Sequence, residues 1–262
     1  MESAPSASPC VLRLDLADLS SVAGFVERFS QSFDRLDVLL NNAGVMGVPQ
    51  GLTADGFETQ LGVNHLGHFA LTGHLLPLLE RTPGSRVVTV SSSAHRAGVL
   101  DFDDLHFADG RRYTPMRAYG QSKLANLLFA YELQRRFDQF EVGCRSVAAH
   151  PGAAQTQLGR HIEKGRLMRL FSPLLRRVVR GPEGAAQSQL RACVDPEVRG
   201  GEYWGPDGLF GMSGDPARVT SSRASLSTSD AARLWKVSES LTGIQWLSRR
   251  SDGPGLQREV SS

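Results

Sequence analysis

Cysteine is scarce in this chain: three residues in 262, Cys10, Cys144 and Cys193, odd in number, far apart and without a C-x-x-C pair. That usage argues against a disulfide framework and fits a reduced, intracellular compartment. An export signal is also missing, because the opening MESAPSASPC has neither a basic stretch nor an apolar one. No apolar run approaches the ~18–20 residues of a membrane-crossing helix, so the expected setting is soluble and cytoplasmic. Neither charge dominates. Lysine and arginine number 29 against 27 acidic residues, a formal +2, and nothing global calls for nucleic acid or membrane.

What is present is an ordinary globular mixture, 40% apolar and 21% charged, on a length that suits one large domain. We expect that domain over 1–247 and a disordered, turn-rich tail over 248–262. One segment stands apart. Between 159 and 182 the bases Arg160, Lys164, Arg166, Arg169, Arg176, Arg177 and Arg180 face only Glu163.

Apolar runs alternate with helical patterns along the chain. CVLRLDL (Cys10–Leu16) reads as the end of a strand, and DLSSVAGFVERFSQSF as a helix capped by Asp18 or Ser20. LDVLLNNAG, SRVVTVSSS and EVGCRSVAAHPG read as strands buried on both faces; the long patterns at 57–80 and 117–136 read as helices. Unbroken apolar strands between helices imply an α/β fold, a doubly wound, mostly parallel sheet with helices on both faces. In such sheets ligands bind beyond the carboxyl ends of the strands. Here those ends read Asp15-Leu16, NNAG, SSS and HPG, all small or polar.

AYGQSKLANLLFAYEL places Tyr119 and Lys123 four residues apart, on one helix face. A free phenol titrates near ~10, and a neighbouring ammonium favours phenolate, so the pair can serve as an acid/base unit. A hydroxyl from Ser91–Ser93 could orient a carbonyl or an alcohol beside it. An exposed Tyr–Lys pair without a role has the same spacing, and the surrounding motifs decide between the two.

NNAG at 41–44, Asn64 in VNHLGHF, VTVSSS at 88–93, YGQSK at 119–123 and HPGAAQT at 150–156 occur in the order that resembles the short-chain dehydrogenase/reductase family. The resemblance runs from about Leu12 to Trp246. GGEYWGPDG and LWKVSESLTG are similar to the branch with retinol-dehydrogenase-like and protochlorophyllide-reductase-like members. It implies a Rossmann-like oxidoreductase moving a hydride between NAD or NADP and a carbonyl/alcohol pair, with a lean toward NADP. By the same resemblance Tyr119 is the general acid/base, and Lys123 lowers its pKa and holds the nicotinamide ribose. Ser92, with Ser93 as its competitor, bonds the reacting oxygen, and Asn64 anchors a relay water. Asn41, Ala43 and Gly44 would line the cofactor, Asp15 would meet its adenine end, and Pro151, Gly152 and Thr156 its nicotinamide end and phosphates. The two long helices imply a homo-oligomer.

The sequence departs from the family at its start. The Gly-rich turn T-G-x-x-x-G-x-G is absent, and the first strand–helix–strand unit is expected to be missing, leaving Val38–Leu40 on an open edge. A shortened active enzyme, a fold completed by a partner and a non-catalytic scaffold or regulatory relative are three readings of that departure. The basic segment 159–182 resembles the family's substrate lid, its apolar residues suited to a lipophilic substrate. Peripheral contact with an anionic membrane is the second reading, and nucleic acid is not expected. His65 and His68 read as structural rather than metal-binding, and no metal is expected.

Overall fold

The computed structural model describes residues 8–152, 182–208 and 211–247. The expected tail at 248–262 and nearly all of the basic segment at 159–182 lie outside the described residues. Helix α1 (Leu19–Ser32) starts where Asp18 accepts hydrogen bonds from the Ser20 and Ser21 amides at 2.8 and 3.3 Å. Its apolar stripe of Val22, Phe25, Val26 and Phe29 packs on Ala70, Leu71, Leu75 and Leu78 of helix α3 (Gly67–Arg81). A single α-turn, α2 (Thr59–Leu61), and a π-helical turn at Gly62–Leu66 run directly into α3. The expected helix at 57–80 is therefore continuous but widened in its first third.

The sheet has five strands in the order β1 (Val38–Asn41), β2 (Arg86–Val90), β3 (Arg145–Ala149), β4 (Tyr203–Pro206) and β5 (Pro216–Arg218). The first four are parallel, and β5 pairs antiparallel to β4. Side-chain alternation along β2 sends Val87 to one face and Val88 to the other, and both are fully buried. Val87 meets Phe69 of α3 together with Phe129 and Leu133 of α4 (Pro115–Gln139), and this layer is closed by Trp235 of α6 (Thr228–Thr242) and by Trp246. On the opposite face Val88, Val147 and Ala149 meet Ala192 and Cys193 of α5 (Pro182–Val194). Helices cover both faces, the doubly wound arrangement expected from the strand pattern.

Two expectations are corrected. Cys10–Leu16 is not a strand: it runs without ladder bonds among the described residues, because no described strand lies beside it. Strand β1 is not buried on both faces either. Among the described residues it forms the sheet edge, the open edge expected for Val38–Leu40, and Leu40 is 39% exposed there.

Candidate active site

Helix α4 begins at Thr114, whose hydroxyl accepts from the Arg117 amide at 3.2 Å, with Pro115 in the first turn where its missing N–H costs nothing. One turn in, Tyr119 is buried, and Lys123 follows a turn later with 4% exposure. Facing them is the end of β2, which continues into a 3₁₀ turn at Ser93–Ala97. Backbone meets backbone here. A Cβ on Gly98 would lie 2.3 Å from the Gly120 carbonyl, so only glycine lets this turn seat on α4.

That close approach separates the three serines. Ser91 is buried and donates to the Lys123 carbonyl at 2.8 Å, which ties strand to helix. Ser93 is exposed. The Ser92 side chain accepts from the Ala94 amide at 3.3 Å and faces the Tyr119 hydroxyl, whose pKa it draws down. Geometry thus favours Ser92 over Ser93 beside the phenol.

Lys123 and Tyr119 do not interact as expected. The Nζ donates to the Val90 carbonyl at 3.1 Å and lies 5.7 Å from the centre of the Tyr119 ring. Burial pushes the Tyr119 phenol above its usual range, only partly offset by the Ser92 hydroxyl, and Lys123 is not among the causes. The expected lowering of Tyr119 by Lys123 is not what this arrangement produces. Burial instead brings Lys123 itself down to about 8.

Asn64 sits in the π turn. Its Nδ2 donates to the Val45 carbonyl and the Ser122 hydroxyl, both at 2.9 Å, and its Oδ1 accepts from the Val45 amide at 2.8 Å. The side chain is therefore a clamp between the NNAG loop and α4. Its backbone carbonyl accepts from His68 Nδ1 at 3.0 Å. Gly44 lies in the same corner, where an added Cβ would be 2.8 Å from Asn64 Oδ1 and 3.6 Å from Lys123 Nζ. Ala43 is exposed at the loop tip, and Asn41, closing β1, donates to Thr72 at 3.0 Å with its Oδ1 buried and unpartnered.

Pro151 and Gly152 end β3 as expected; Gly152 adopts φ 72° and donates to His150 Nδ1 at 3.2 Å. Thr156 lies outside the described residues. Asp15 is exposed ahead of α1, where its Oδ1 accepts from the Ala17 amide at 2.9 Å. The next residue, Leu16, presses its carbonyl on Gly67, so this turn lies beside the start of α3 but makes no recorded contact with the Tyr119 group. A concavity of about 380 Å³ opens elsewhere, between α4 and strands β4–β5. Its lining includes none of Ser92, Tyr119 or Lys123, and the hydroxyl pair rather than the concavity marks the chemistry.

Three further residues lie near the site. Asn126 donates to the same Val90 carbonyl as Lys123, at 3.0 Å. His150 is held neutral by burial, at about 4. His95 is buried directly behind Ser92. Its position two residues past the serine run was the only available hint. His65 and His68 are structural in their contacts: His65 Nε2 pairs with Ser238 at 2.9 Å, and His68 bonds its own helix.

The donor set fits one end of a nicotinamide dinucleotide. Lys123 has three N–H groups and uses one on Val90 among the described residues, leaving donors for ribose hydroxyls beside Tyr119 and Ser92. For the pyrophosphate the sequence has no Gly-rich turn to present backbone amides.

The comparisons agree with this geometry. Residues 2–103 match the family model described as short chain dehydrogenase. Retinol dehydrogenase 12 of Mus musculus is 41% identical over 239 residues, spanning 90% of this chain and 70% of that protein. Retinol dehydrogenase 13 of Homo sapiens is 42% identical over 239 residues, spanning 88% and 68%. A solved structure of an uncharacterised protein from Mycobacterium Paratuberculosis superposes with a TM-score of 0.66 at 44% identity, covering 88% of this chain and 75% of that one. The chain belongs to the short-chain dehydrogenase family, on its retinol-dehydrogenase-like side, and is by that membership an NAD(P)-dependent oxidoreductase.

Proposed function

We propose that residues 1–247 form one catalytic unit that interconverts a lipophilic carbonyl compound and its alcohol. The nicotinamide, when bound, supplies or takes up the hydride. Tyr119 gives its phenolic proton to the carbonyl oxygen as the carbon is reduced, and takes it back in the oxidation. Ser92 donates a hydrogen bond to the same oxygen and holds it within reach of the phenol. Lys123, with two N–H groups to spare, binds the ribose and offers its positive charge to the phenolate left behind. Asn64 holds the NNAG loop against α4, and by resemblance it anchors a relay water. Asn41, Ala43, Gly44, Pro151 and Gly152 line the cofactor edge, with Thr156 and Asp15 assigned by resemblance alone.

The placement of Ser92 against the buried Tyr119 phenol carries this reading. Lipophilic substrates are favoured by the relatives' names and by exposed Val99, Met116 and Met212 on segments adjoining the site. Resemblance to the same branch favours NADP. No helix among the described residues is long and apolar enough to cross a membrane. Cys10, Cys144 and Cys193 are free thiols, which supports a cytoplasmic setting, and the basic, apolar composition of 159–182 suits peripheral membrane contact. Pairing of two copies would use the outward stripe His74, Pro77 and Glu80 of α3, because α4 is buried within its own chain from Ala118 to Ala130.

Incubation with deuterated reduced NADP and a long-chain aldehyde tests the reaction. Deuterium is expected on the carbinol carbon of the product. Absence of both cofactor binding and label transfer would favour the alternative, a non-catalytic scaffold or regulatory relative that has lost cofactor binding.

A further inference from the structure

We propose that His95 is a positioning residue that fixes Ser92 beside Tyr119 and locks the serine turn to the loop at 219–225. The inference rests on the acid/base reading of Tyr119 and Ser92 given above. His95 is 1% exposed and both ring nitrogens are used. Nε2 lies 3.1 Å from the Ser222 amide, which can only donate, so this nitrogen is the bare acceptor. The ring proton then resides on Nδ1, and the 2.6 Å contact from Nδ1 to the Ser92 carbonyl is a donated hydrogen bond.

The His95 backbone amide reaches the same carbonyl at 3.0 Å, so one residue supplies two donors to Ser92. The adjacent Arg96 donates to the Thr220 carbonyl at 2.7 Å, a second tie to the same loop. Edge-on contact with the Tyr203 ring, at 5.8 Å, holds the imidazole plane. The turn thus fixed is a single one, Ser93–Ala97, with Ser93, Arg96 and Ala97 at the surface. Its short i→i+3 bonds hold a hydroxyl poorly by themselves. Misplacement by ~1 Å costs a reaction up to ~100-fold, so an anchor at this carbonyl has a direct kinetic consequence. Space filling alone would be met by phenylalanine; the two directed bonds would not. An acid/base role for His95 itself is disfavoured, because both nitrogens are engaged and burial holds the ring neutral.

The test compares Ser92→Ala, His95→Phe, the double variant and His95→Asn in the full chain. Two readouts apply: kcat and KM for aldehyde reduction, and the Tyr119 ζ-carbon resonance at neutral pH. The latter is one of four tyrosine signals, assigned with Tyr119→Phe, and needs no turnover. His95→Phe should lower kcat about tenfold with KM within about twofold, and should shift the ζ-carbon in the direction that Ser92→Ala does. The double variant should be no worse than Ser92→Ala, because His95 acts through Ser92. His95→Asn keeps a donor near the Nδ1 position and should recover most of both signals. If His95→Phe does not fold, His95→Gln, which retains an acceptor toward Ser222, replaces it with the same expected losses. Additive losses in the double variant, or an unmoved Tyr119 resonance in folded His95→Phe, would overturn the inference while leaving the acid/base reading intact. An unmoved resonance in Ser92→Ala would remove the Ser92–Tyr119 pairing, and with it both.

Discussion

Lys123 and Tyr119 share one face of α4, yet the Lys123 ammonium rests on the Val90 carbonyl, 3.1 Å away, while the Tyr119 hydroxyl turns to Ser92. The strand end therefore holds the two groups separately. Without cofactor the phenol is kept protonated by burial, ready to act as an acid. The ammonium is kept partly desolvated, a state that an incoming hydroxyl-rich ligand relieves.

The position of Lys123 has a cost in stability. Its pKa of about 8 lies below the ordinary 10.5, so the unfolded chain binds more protons between those values. Stability should accordingly rise with pH from about 8 to about 10.5 and be lowest, for this group, below 8. Lys123→Met should flatten that slope and stabilise the fold at neutral pH by about 2–3 kcal/mol while abolishing turnover. Urea unfolding at several pH values measures the stability change. A less stable methionine variant would contradict it.

Acid should act through the buried imidazoles. His65 is held at about 3, and His68 and His150 at about 4, all by burial and all below the ordinary 6.5. Each is neutral in the fold, so stability is complete above about pH 6.5 and falls as pH drops toward 4. His65 packs against Phe69 and Phe129, and His65→Phe should shallow that fall without touching the site. Unfolding midpoints at pH 7, 6 and 5 provide the check; an unchanged slope would count against it.

The serines should separate by function. Ser92→Ala should lower kcat at least tenfold with little change in stability, and Ser93→Ala should behave as the parent. Ser91→Ala should mainly destabilise, by about 1 kcal/mol, through the lost bond to the Lys123 carbonyl. A larger kinetic loss in Ser93→Ala than in Ser92→Ala would reverse the assignment.

Gly98 should tolerate no side chain. A methyl group would meet the Gly120 carbonyl at 2.3 Å, backbone on backbone, where nothing can rotate away. Gly98→Ala should cost about 2 kcal/mol or more and depress turnover further by lifting Ser92 off α4. Parent-like melting and activity would show that the two segments are not pressed together.

Much of this was legible in the sequence because the responsible signals are local. Apolar runs ending in NNAG, SSS and HPG marked β1, β2 and β3 and the end of the sheet where the polar side chains gather. The i, i+4 spacing of Tyr119 and Lys123 put both on one helix face. What was not legible depends on partners distant in the chain. Cys10–Leu16 has strand composition but no neighbouring strand among the described residues. β5 is three residues long, too short for any periodicity. The serine register is set by the Gly98–Gly120 contact, and His95 finds its second partner 127 positions away at Ser222. The widened turn at Gly62–Leu66 has ordinary helical composition, and the partners its Asn64 clamps, Val45 and Ser122, lie 19 and 58 positions away.

The central claim, that Tyr119 carries the proton in a nicotinamide-linked carbonyl reduction, is tested most directly by Tyr119→Phe. The measurement is the loss of reduced-nicotinamide absorbance with a long-chain aldehyde, alongside circular dichroism of the parent and the variant. Removing one hydroxyl from a buried ring should leave the dichroism and melting temperature close to the parent's, and should lower kcat by at least about 100-fold. A folded Tyr119→Phe protein that keeps kcat within tenfold of the parent would contradict the account.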